Sequence, residues 1–383
     1  MAGLYIHIPF CESRCIYCGF YSTTSLKERD AYIEALCQEM ALRQINDTLG
    51  EPAKIETIYL GGGTPSQLTS EQLVRLFEGI NKNYGSSLTE HIEITMECNP
   101  DDITPTLCQT IAQLPINRIS MGIQTFSDER LRFLHRRHNA IEAKQAIKLL
   151  RKAGVGNISI DLMFGFPNET ITEWTHDIRE ALSLNVEHLS AYSLMYEEGT
   201  TLYRLLQQEK IKEIDEETYL QMYEILIDEL TAAGYEHYEI SNFALPGYRS
   251  RHNSSYWHEV PYIGLGAAAH SYIRSPKVMR SWNIADINEY IHSIKQGRVV
   301  QESETLDINT RYNDLIATAL RTSDGITLTK IKEEFGDSLY RALLTEADKH
   351  IERHQMQIKE GRLMLTRKGL YVSDDIMSDF MLV

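Results

Sequence analysis

The sequence predicts an α/β fold, in which an incomplete parallel (β/α)6 TIM-like barrel precedes a smaller helical domain. Up to Leu194, short runs rich in β-branched residues alternate with longer segments whose apolar residues recur every three or four positions. Polar residues or glycines follow each short run. In a parallel barrel the carboxyl ends of all strands meet on one face, whereas an open doubly wound sheet gathers them only at its switch point. The distribution of polar residues therefore favours the incomplete barrel.

The candidate strands occupy residues 4–8, 55–60, 92–97, 118–122, 158–163 and 188–194. Helical periodicity occupies residues 28–43, 70–83, 141–153 and 173–184, and "TPSQLTSEQL" supplies capping residues for the second of these helices. The polar strand ends are residues 11–18 and 61–64 with Glu97, Gln124, Asp161 and Tyr196. Six βα units imply right-handed crossovers and are too few for a closed eight-stranded barrel.

The chain changes character at about residue 288, and we predict domains at 1–287 and 288–383. The second domain contains "ITLTKIKEEFG" and then "GRLMLTRKGLYVS", a pattern typical of helices followed by a short hairpin, as in a winged-helix module. The formal net charge of -16 argues against nucleic-acid binding, which depends on Lys and Arg contacts to phosphate. We expect this domain to serve in packing or in protein interaction.

The composition, with 43% hydrophobic and 24% charged residues, fits an ordinary soluble globular protein. We expect no secretory leader, because "MAGLYIHIPF" lacks a basic start, and no apolar run approaches the length of a membrane span. Six cysteines are too sparse for a disulfide scaffold in a reducing compartment. Cys37, Cys98 and Cys108 are predicted to be core thiols, whereas the remaining three predict metal or redox chemistry.

These three cysteines lie in "HIPFCESRCIYCGF", where Cys11, Cys15 and Cys18 have the spacing C-x3-C-x2-C. A zinc site would need a fourth ligand, for which His7 is the nearest candidate. A catalytic dithiol would use Cys15 and Cys18 and leave Cys11 idle. A four-iron cluster held by three thiolates would leave one iron open to another ligand.

The segment "GGGTPS" at residues 61–66 follows the second strand. Successive glycines let backbone approach a ligand closely and free amide groups to bind it, although a tight turn would also use them. The segment lacks the lysine of a P-loop, so nucleotide phosphate is a poor candidate ligand.

The cysteine spacing after the first strand, with "GGGTPS" after the second, resembles the radical S-adenosylmethionine (SAM) superfamily. The resemblance implies a [4Fe–4S] cluster on the three cysteines, with SAM chelating the open iron. It also implies a SAM site formed by Tyr5, Tyr17, Gly62, Gly63, Thr64, Glu97, Gln124, Arg136 and Asp161.

The chemistry of these residue types suits the implied roles. Glu97 can accept from the SAM ammonium group, and Arg136 can pair with the SAM carboxylate. Gln124 and Asp161 can bind ribose hydroxyls. Two alternatives remain open: Arg136 could belong to a solvated basic face in "HRRH", and Glu97 could cap a helix in "ECNPDD".

From about residue 3 to 273, "LYIHIPFC", "SMGIQTF", "DLMFGFP" and "LSAYSL" resemble the HemN group of oxygen-independent coproporphyrinogen III dehydrogenases. That group has a fourth cysteine where this chain has Phe20, and an extension ahead of the first strand that we do not find here. Both departures resemble the HemW branch of heme chaperones.

The segment "RHNSSYW" matches the H-N-x-x-Y-W motif of that branch, and the resemblance implies heme binding by His252, Asn253, Tyr256 and Trp257. A neutral histidine can ligate heme iron, and aromatic rings offer flat faces to a porphyrin. His270 in "GLGAAAHSY" is a second candidate ligand.

The resemblance implies a heme chaperone that supplies hemoproteins such as membrane respiratory enzymes and forms a cluster-dependent homodimer. Contact with these acceptors would bring a cytoplasmic protein to the membrane surface. The alternative functions are oxidative decarboxylation of coproporphyrinogen III and radical SAM chemistry on another substrate.

Overall fold

The computed structural model describes residues 2–44, 49 and 53–382. A parallel sheet forms the first half of the fold, and its strands pair in chain order. They are β1 (Ala2–Ile8), β2 (Ile55–Gly62), β3 (Leu88–Cys98), β4 (Arg118–Gln124), β5 (Ile158–Phe164) and β6 (His188–Ser193). All six predicted strands and the partial barrel are thereby confirmed.

Helices cover the outer face of this sheet. They are α1 (Arg29–Leu42), α2 (Ser70–Tyr84), α3 (Pro105–Gln113), α4 (Asp128–Phe133), α5 (Ala140–Lys152) and α6 (Ile171–Ser183). The predicted capping of α2 is confirmed, since Thr69 and Gln72 bond each other's backbone N–H in a reciprocal capping box. No helix in the described ranges has both the length and the apolar character needed to cross a bilayer.

The strands alternate strictly between an apolar outer face and a polar inner face. In β1, Leu4, Ile6 and Ile8 are fully buried in the core between sheet and helices. Tyr5 and His7 point to the opposite side, into the barrel, because successive strand residues face opposite ways. The inner faces of the neighbouring strands are polar too, so the barrel interior is built for hydrogen bonding.

Ten elements that were not predicted follow β6, and the strands among them extend the sheet at both edges. They are α7 (Thr201–Gln207), α8 (Glu216–Ala232), β7 (Glu236–Glu239), β8 (Asn242–Ala244), α9 (Arg251–Trp257), β9 (Tyr262–Leu265), β10 (His270–Ile273), β11 (Met279–Asn283), α10 (Ile287–Lys295) and β12 (Gln301–Thr305). Strand β9 lies parallel to β1, and β10, β11 and β12 continue from it in antiparallel pairs. Within the described residues the sheet order is β12-β11-β10-β9-β1-β2-β3-β4-β5-β6-β8-β7.

The C-terminal lobe has its own hydrophobic core, which includes Tyr312, Ile331, Phe335 and Leu363. Its elements are α11 (Ile308–Ala319), β13 (Ile326–Thr327), α12 (Leu328–Glu352), β14 (Met356–Lys359), β15 (Arg362–Leu365), α13 (Arg367–Leu370) and α14 (Ser373–Phe380). Helix α12 is interrupted at Gly336, whose φ is 84°. Helices followed by the β14–β15 hairpin agree with the expected pattern.

The lobe packs against the segment that closes one end of the barrel. Lys330 forms an ion pair with Glu259, which directly follows the α9 region, and Arg274 pairs with Glu334 at 3.0 Å. The backbone N–H of Ser323 donates to the carbonyl of Tyr238 at 2.9 Å. These contacts tie the C-terminal lobe to the barrel.

The predicted domain boundary at residues 287 and 288 stays a prediction. Tyr290 and Ile294 of α10 belong to the core of the first domain, and β12 belongs to the large sheet. The second core begins at Tyr312. Core membership thus favours a division nearer residue 306 than 288.

Candidate iron–sulfur and SAM site

The three cysteines lie in the loop that follows β1, and backbone hydrogen bonds fix its course. The N–H of Cys11 donates to the carbonyl of Thr23 at 2.9 Å, and the N–H of Thr23 donates to Pro9 at 2.7 Å. Ile16 is held on both sides, by Leu134 at 3.3 Å and by Leu202 at 2.9 Å. All three cysteines are free thiols and half-buried. The loop is therefore a formed element that offers three thiols at the carboxyl end of the barrel.

Two of the thiols receive hydrogen bonds from residues of the predicted SAM site. The hydroxyl of Thr64 donates to Cys11 Sγ at 3.4 Å, and Arg136 donates to Cys15 Sγ at 3.5 Å. Burial raises the pKa of the Cys11 and Cys18 thiols. A bound cation would reverse this effect, because coordination to a metal deprotonates a thiol.

The zinc interpretation does not fit this geometry. His7 uses both ring nitrogens, Nδ1 with the Tyr5 hydroxyl at 2.9 Å and Nε2 with the Tyr21 carbonyl at 3.0 Å, so it offers no lone pair to zinc. Across residues 2–44 and 53–382, the only set of three or more side chains whose ligand atoms converge within 4.8 Å is Glu346, His350 and Asp379 in the C-terminal lobe. The three thiols of the loop do not converge to within 4.8 Å of one another. This wider spacing suits a multi-iron cluster better than a single zinc ion.

The glycines of the "GGGTPS" segment allow β2 to approach the cysteine loop. A Cβ atom at Gly63 would lie 2.8 Å from the Ile8 carbonyl oxygen and 2.9 Å from the Phe10 nitrogen. Gly62 has a φ of 109°, which favours glycine, and a Cβ there would collide with the His7 ring. Close packing on the cysteine loop is thus one reason for these glycines.

Glu97 ends β3 beside Gly62 and is the most perturbed carboxyl of the predicted SAM site. It accepts hydrogen bonds from the Tyr59 hydroxyl at 2.7 Å and from the Gly62 N–H at 3.1 Å. Burial, with a further contribution from Asp161, raises the pKa of Glu97 to about 7. Such a carboxyl favours a cationic partner, which would stabilise its ionised form. The alternative role as a helix cap is not seen in these contacts.

Gln124 is the last residue of β4, and Asp161 lies midway along β5. Gln124 has a φ of 73°, a left-handed conformation that is unusual for a residue other than glycine and often marks a functional site. Burial raises the pKa of Asp161 to about 6, although Ser120 lies 3.5 Å from the carboxylate as a hydrogen-bond donor. Both side chains lie at the same end of the barrel as the cysteines.

Arg136 reaches inward, in contrast to its neighbour Arg137. Its guanidinium donates to Asn99 Oδ1 at 2.7 Å, to the Gly122 carbonyl and to Cys15. Arg137 instead forms ion pairs with acidic residues nearer the surface, among them Glu12 at 3.0 Å. The solvated-face interpretation of "HRRH" therefore suits Arg137 and does not suit Arg136.

Tyr5 and Tyr17, the two tyrosines of the predicted SAM site, occupy different positions. Tyr17 lies within the cysteine loop, and burial raises the pKa of its hydroxyl, with Cys15 and Cys18 adding to the effect. Tyr5 lies deeper, stacked on Tyr59 with ring centroids 6.3 Å apart, and its hydroxyl bonds His7. Tyr17 is thus beside the thiols, whereas Tyr5 supports the second layer of the site.

Four residues of this site were not predicted from the sequence in these roles. They are Tyr59, Asn99, Ser120 and His7, whose ring covers Gly62. A signal existed for two of them. Tyr59 lies two residues before Gly61 in β2, so strand alternation puts it on the inner face. Asn99 directly follows the "MEC" end of β3. His7 and Ser120 depend on the register between neighbouring strands, which a sequence does not display.

The residues of the "HNSSYW" motif lie at the opposite end of the barrel. His252, on α9, is 1% exposed, and both ring nitrogens are bonded, Nδ1 to the Thr57 hydroxyl at 2.8 Å and Nε2 to the Tyr256 hydroxyl at 2.9 Å. Its backbone N–H donates to Glu93 at 3.0 Å. Thr57 precedes Gly62 by five residues of β2, or about 16 Å of strand.

This environment keeps His252 neutral, because burial, and then the Arg118 cation, lower its pKa to about 3. Asn253 lies in the first turn of α9, where its N–H donates to the Ser250 hydroxyl at 3.3 Å. Trp257 is half-buried, and its Nε1 has no hydrogen-bond partner among the described residues. The heme role of these four residues stays a prediction, and in this fold they close the base of the barrel.

Phe20, the residue that stands in place of a fourth cysteine, is 70% exposed. Core packing therefore does not explain it. Of the three cysteines outside the loop, Cys98 and Cys108 are buried as expected for core thiols, whereas Cys37 is half-buried at the edge of the core.

The chain matches the Radical SAM superfamily over residues 5–181 and the HemN C-terminal domain over residues 306–372. It is 35% identical over 387 residues to "Heme chaperone HemW" of Bacillus subtilis (strain 168), covering 100% of this chain and 99% of the relative. The protein of the same name from Lactococcus lactis subsp. lactis (strain IL1403) is 32% identical, covering 99% of this chain and 97% of the relative. That of Escherichia coli (strain K12) is 34% identical, covering 80% and 78%.

Among solved structures, the chain is similar to coproporphyrinogen III oxidase (HemN) from Escherichia coli, a radical SAM enzyme, with a TM-score of 0.82. The alignment covers 99% of this chain and 89% of that protein at 22% sequence identity, so the likeness concerns the fold. The Bacillus subtilis and Lactococcus lactis relatives match over nearly the full length of both chains. The chain belongs to the HemW family of the radical SAM superfamily.

Proposed function

We propose that this protein is a heme chaperone, which binds heme and delivers it to hemoproteins. The observation that carries the proposal is the 35% identity to the Bacillus subtilis heme chaperone HemW over the whole of both chains. Phe20 supports it, because a phenyl side chain cannot replace the fourth cysteine of the dehydrogenase pattern as a ligand or a thiol.

The cysteine loop would hold a [4Fe–4S] cluster through Cys11, Cys15 and Cys18. Three thiolates satisfy three irons and leave the fourth open, which is the position where SAM would bind. The hydrogen bonds from Thr64 and Arg136 to two of the sulfurs support this role, since such bonds stabilise thiolate ligands. The cluster supplies redox capacity and an electrophilic iron when it is bound.

The SAM site would use the polar groups that surround the cluster loop. Glu97 would accept from the ammonium group of SAM, an interaction favoured by the buried position of this carboxyl. Arg136 would pair with the SAM carboxylate, and Gln124 and Asp161 would bind the ribose. Gly62 and Gly63 would let the methionine part of SAM lie against backbone, with Tyr5, Tyr17 and Thr64 as supports.

Heme binding and transfer provide the test of the chaperone function. The full-length protein is titrated with ferric hemin and then mixed with apomyoglobin. We expect stoichiometric binding, seen as a Soret shift, followed by passage of the bound heme to apomyoglobin, seen as the appearance of the myoglobin Soret band. Absence of stoichiometric binding would overturn the proposal, as would bound heme that does not pass to apomyoglobin.

Oxidative decarboxylation of coproporphyrinogen III is the second candidate, and the fold similarity to HemN favours it. Anaerobic incubation of the reconstituted protein with coproporphyrinogen III, SAM and a reductant decides between the two functions. We expect no protoporphyrinogen. Its formation would replace the chaperone by the enzyme.

We also propose a cytoplasmic location, hemoprotein acceptors that include membrane-bound respiratory enzymes, and a homodimer that depends on the cluster. The dimer is tested by sedimentation of the protein with and without reconstituted cluster. A single sedimentation coefficient in both states would contradict the dimer and leave heme binding unaffected.

A further inference from the structure

A histidine that ligates heme iron must present a ring nitrogen with a free lone pair to the porphyrin. His252 does not, since its two ring nitrogens are bonded to Thr57 and Tyr256 inside the barrel. Its ring also stacks on Tyr59 with centroids 5.1 Å apart. Withdrawal of this ring would break both hydrogen bonds and open the base of the barrel.

His270 offers the contrary environment. It is the first residue of β10, its side chain is exposed, and no hydrogen bond from the described residues reaches its ring. All thirteen histidines of the chain lie within the described ranges. Among them, His270 is the exposed histidine whose ring stacks on a tryptophan.

The partner of His270 is Trp282, which lies directly opposite on β11. The two ring centroids are 6.0 Å apart and their planes differ by 27°. The indole N–H donates to Glu302 at 3.1 Å, which fixes the tryptophan from its other side. Trp282 therefore lies against one face of the imidazole.

The neighbours of these two residues show which face of the sheet they occupy. Ser271 is bonded by Arg43 at 3.1 Å, and Asn283 is bonded to Glu39 of α1 at 2.8 Å, so both point to the helix-covered side. Since adjacent strand residues face opposite ways, His270 and Trp282 point to the inner side. This is the side of β1 that carries Tyr5 and His7.

The position is close to the candidate SAM site. In the sheet, β9 alone separates β10 from β1, a lateral distance of about 10 Å. Burial is the main reason that the pKa of His7 falls to about 4, and the neighbouring His270 lowers it further. His7 in turn covers Gly62. His270 thus stands beside the group of residues proposed to hold SAM.

We infer that His270, stacked on Trp282, is the axial ligand that this protein presents to heme iron, and that His252 serves to close the barrel. The inference rests on the proposed heme-chaperone function and names the residue through which it acts. Burial and the nearby Arg280 lower the pKa of His270, which agrees with a neutral imidazole. A heme bound there would lie on the inner face of the sheet extension, near the cluster loop.

The test uses the full-length protein without reconstituted cluster, so that iron–sulfur absorption does not overlap the Soret band. Ferric hemin is titrated into wild type, His270→Ala, His252→Gln and the matched control His292→Ala, an exposed histidine on α10. Absorption gives the affinity, and electron paramagnetic resonance with magnetic circular dichroism identifies the axial ligand. Far-UV circular dichroism confirms that each variant is folded.

We expect the imidazole-ligated spectrum in wild type, His252→Gln and His292→Ala. His270→Ala should lose that spectrum and bind hemin about tenfold more weakly or worse, and added imidazole should restore the spectrum. Retention of the wild-type spectrum and affinity by His270→Ala would overturn the inference, as would a thiolate-ligated wild-type spectrum, and both results leave the chaperone function intact. Absence of hemin binding by wild type would instead overturn the proposed function.

Discussion

The two ends of the barrel contain similar polar side chains in opposite situations. At the base, His252 and His188 each have both ring nitrogens hydrogen-bonded. At the cysteine end, no Lys, Arg or His among the described residues forms an ion pair with Glu97 or Asp161, and burial raises their pKa to about 7 and about 6. Within the described residues, the two carboxyls are thus left without a cationic partner, whereas the two histidines of the base have no ring nitrogen free for a ligand.

The largest expected effect is on the cysteine end, where removal of one cysteine should abolish cluster binding. Cys15→Ala deletes a thiolate that no other described side chain in the loop can replace. After anaerobic reconstitution we expect about four irons and four sulfides per chain in wild type and close to none in the variant. Iron and sulfide assays measure this, and Cys37→Ala, a half-buried thiol on α1, is the control. Full iron content in Cys15→Ala would refute the assignment.

The next effect concerns the base. His252→Ala leaves the hydroxyls of Thr57 and Tyr256 without their partner, and we expect the free energy of unfolding to fall by about 3 kcal/mol or more. Denaturant unfolding measures it. His270→Ala, an exposed position, should change stability by no more than about 0.5 kcal/mol. Equal losses of unfolding free energy in the two variants would show that His252 contributes no more to stability than the exposed His270.

The third prediction concerns the pH dependence of SAM binding. The pKa of Glu97 stands at about 7, above its usual value, so its contribution to stability is present at low pH and is lost as the pH rises through 7. A ligand ammonium favours the ionised carboxylate, and SAM affinity should therefore rise between pH 6.5 and 7.5, below the pKa of about 8 at which an α-amino group loses its proton.

Isothermal titration of wild type and Glu97→Gln tests this. The variant should bind SAM about tenfold more weakly at pH 7.5 and lose the rise with pH. Asp161, whose pKa is about 6, contributes in both proteins and is largely ionised over this range. An unchanged pH profile in the variant would exclude Glu97 as the ammonium partner.

The last prediction tests the packing of β2 on the cysteine loop. Gly63→Ala puts a Cβ atom 2.8 Å from the Ile8 carbonyl oxygen, and we expect a loss of about 1–3 kcal/mol together with faster loss of the cluster. Gly156→Ala is the matched control, because a Cβ there meets nothing within 4 Å. Unfolding curves and the decay of cluster absorbance compare the two variants, which should behave alike if the close approach is unimportant.

The parallel strands could be predicted because short apolar runs alternate regularly with longer helical segments. Strand β9 could not, since "YIGL" has four residues including Gly264, and it becomes a strand only by pairing with β1. The cysteine end was predictable for the same reason as the strands: its residues follow them directly. The base was not, because the position of α9 depends on where the chain returns after β8.

The same limit explains the two histidines. The sequence motif around His252 suggests a heme ligand. In the fold, however, the Thr57 hydroxyl on β2 and the Tyr256 hydroxyl on α9 both bond its ring. The sequence around His270 indicates a heme ligand less strongly than that motif does. The exposure of this histidine depends on the pairing of β10 with β11. Availability of a ring nitrogen is a property of the folded sheet and cannot be read from either motif.

The pairing of β9 with β1 has a consequence for the order of events during protein synthesis. Strand β1 and the cysteine loop leave the ribosome early, whereas Leu265 of β9 emerges some 250 residues later. Contacts between such distant segments form late in folding, because a long loop must first close. A nascent chain would thus carry its three cysteines after a β1 strand that lacks its β9 neighbour for most of its synthesis.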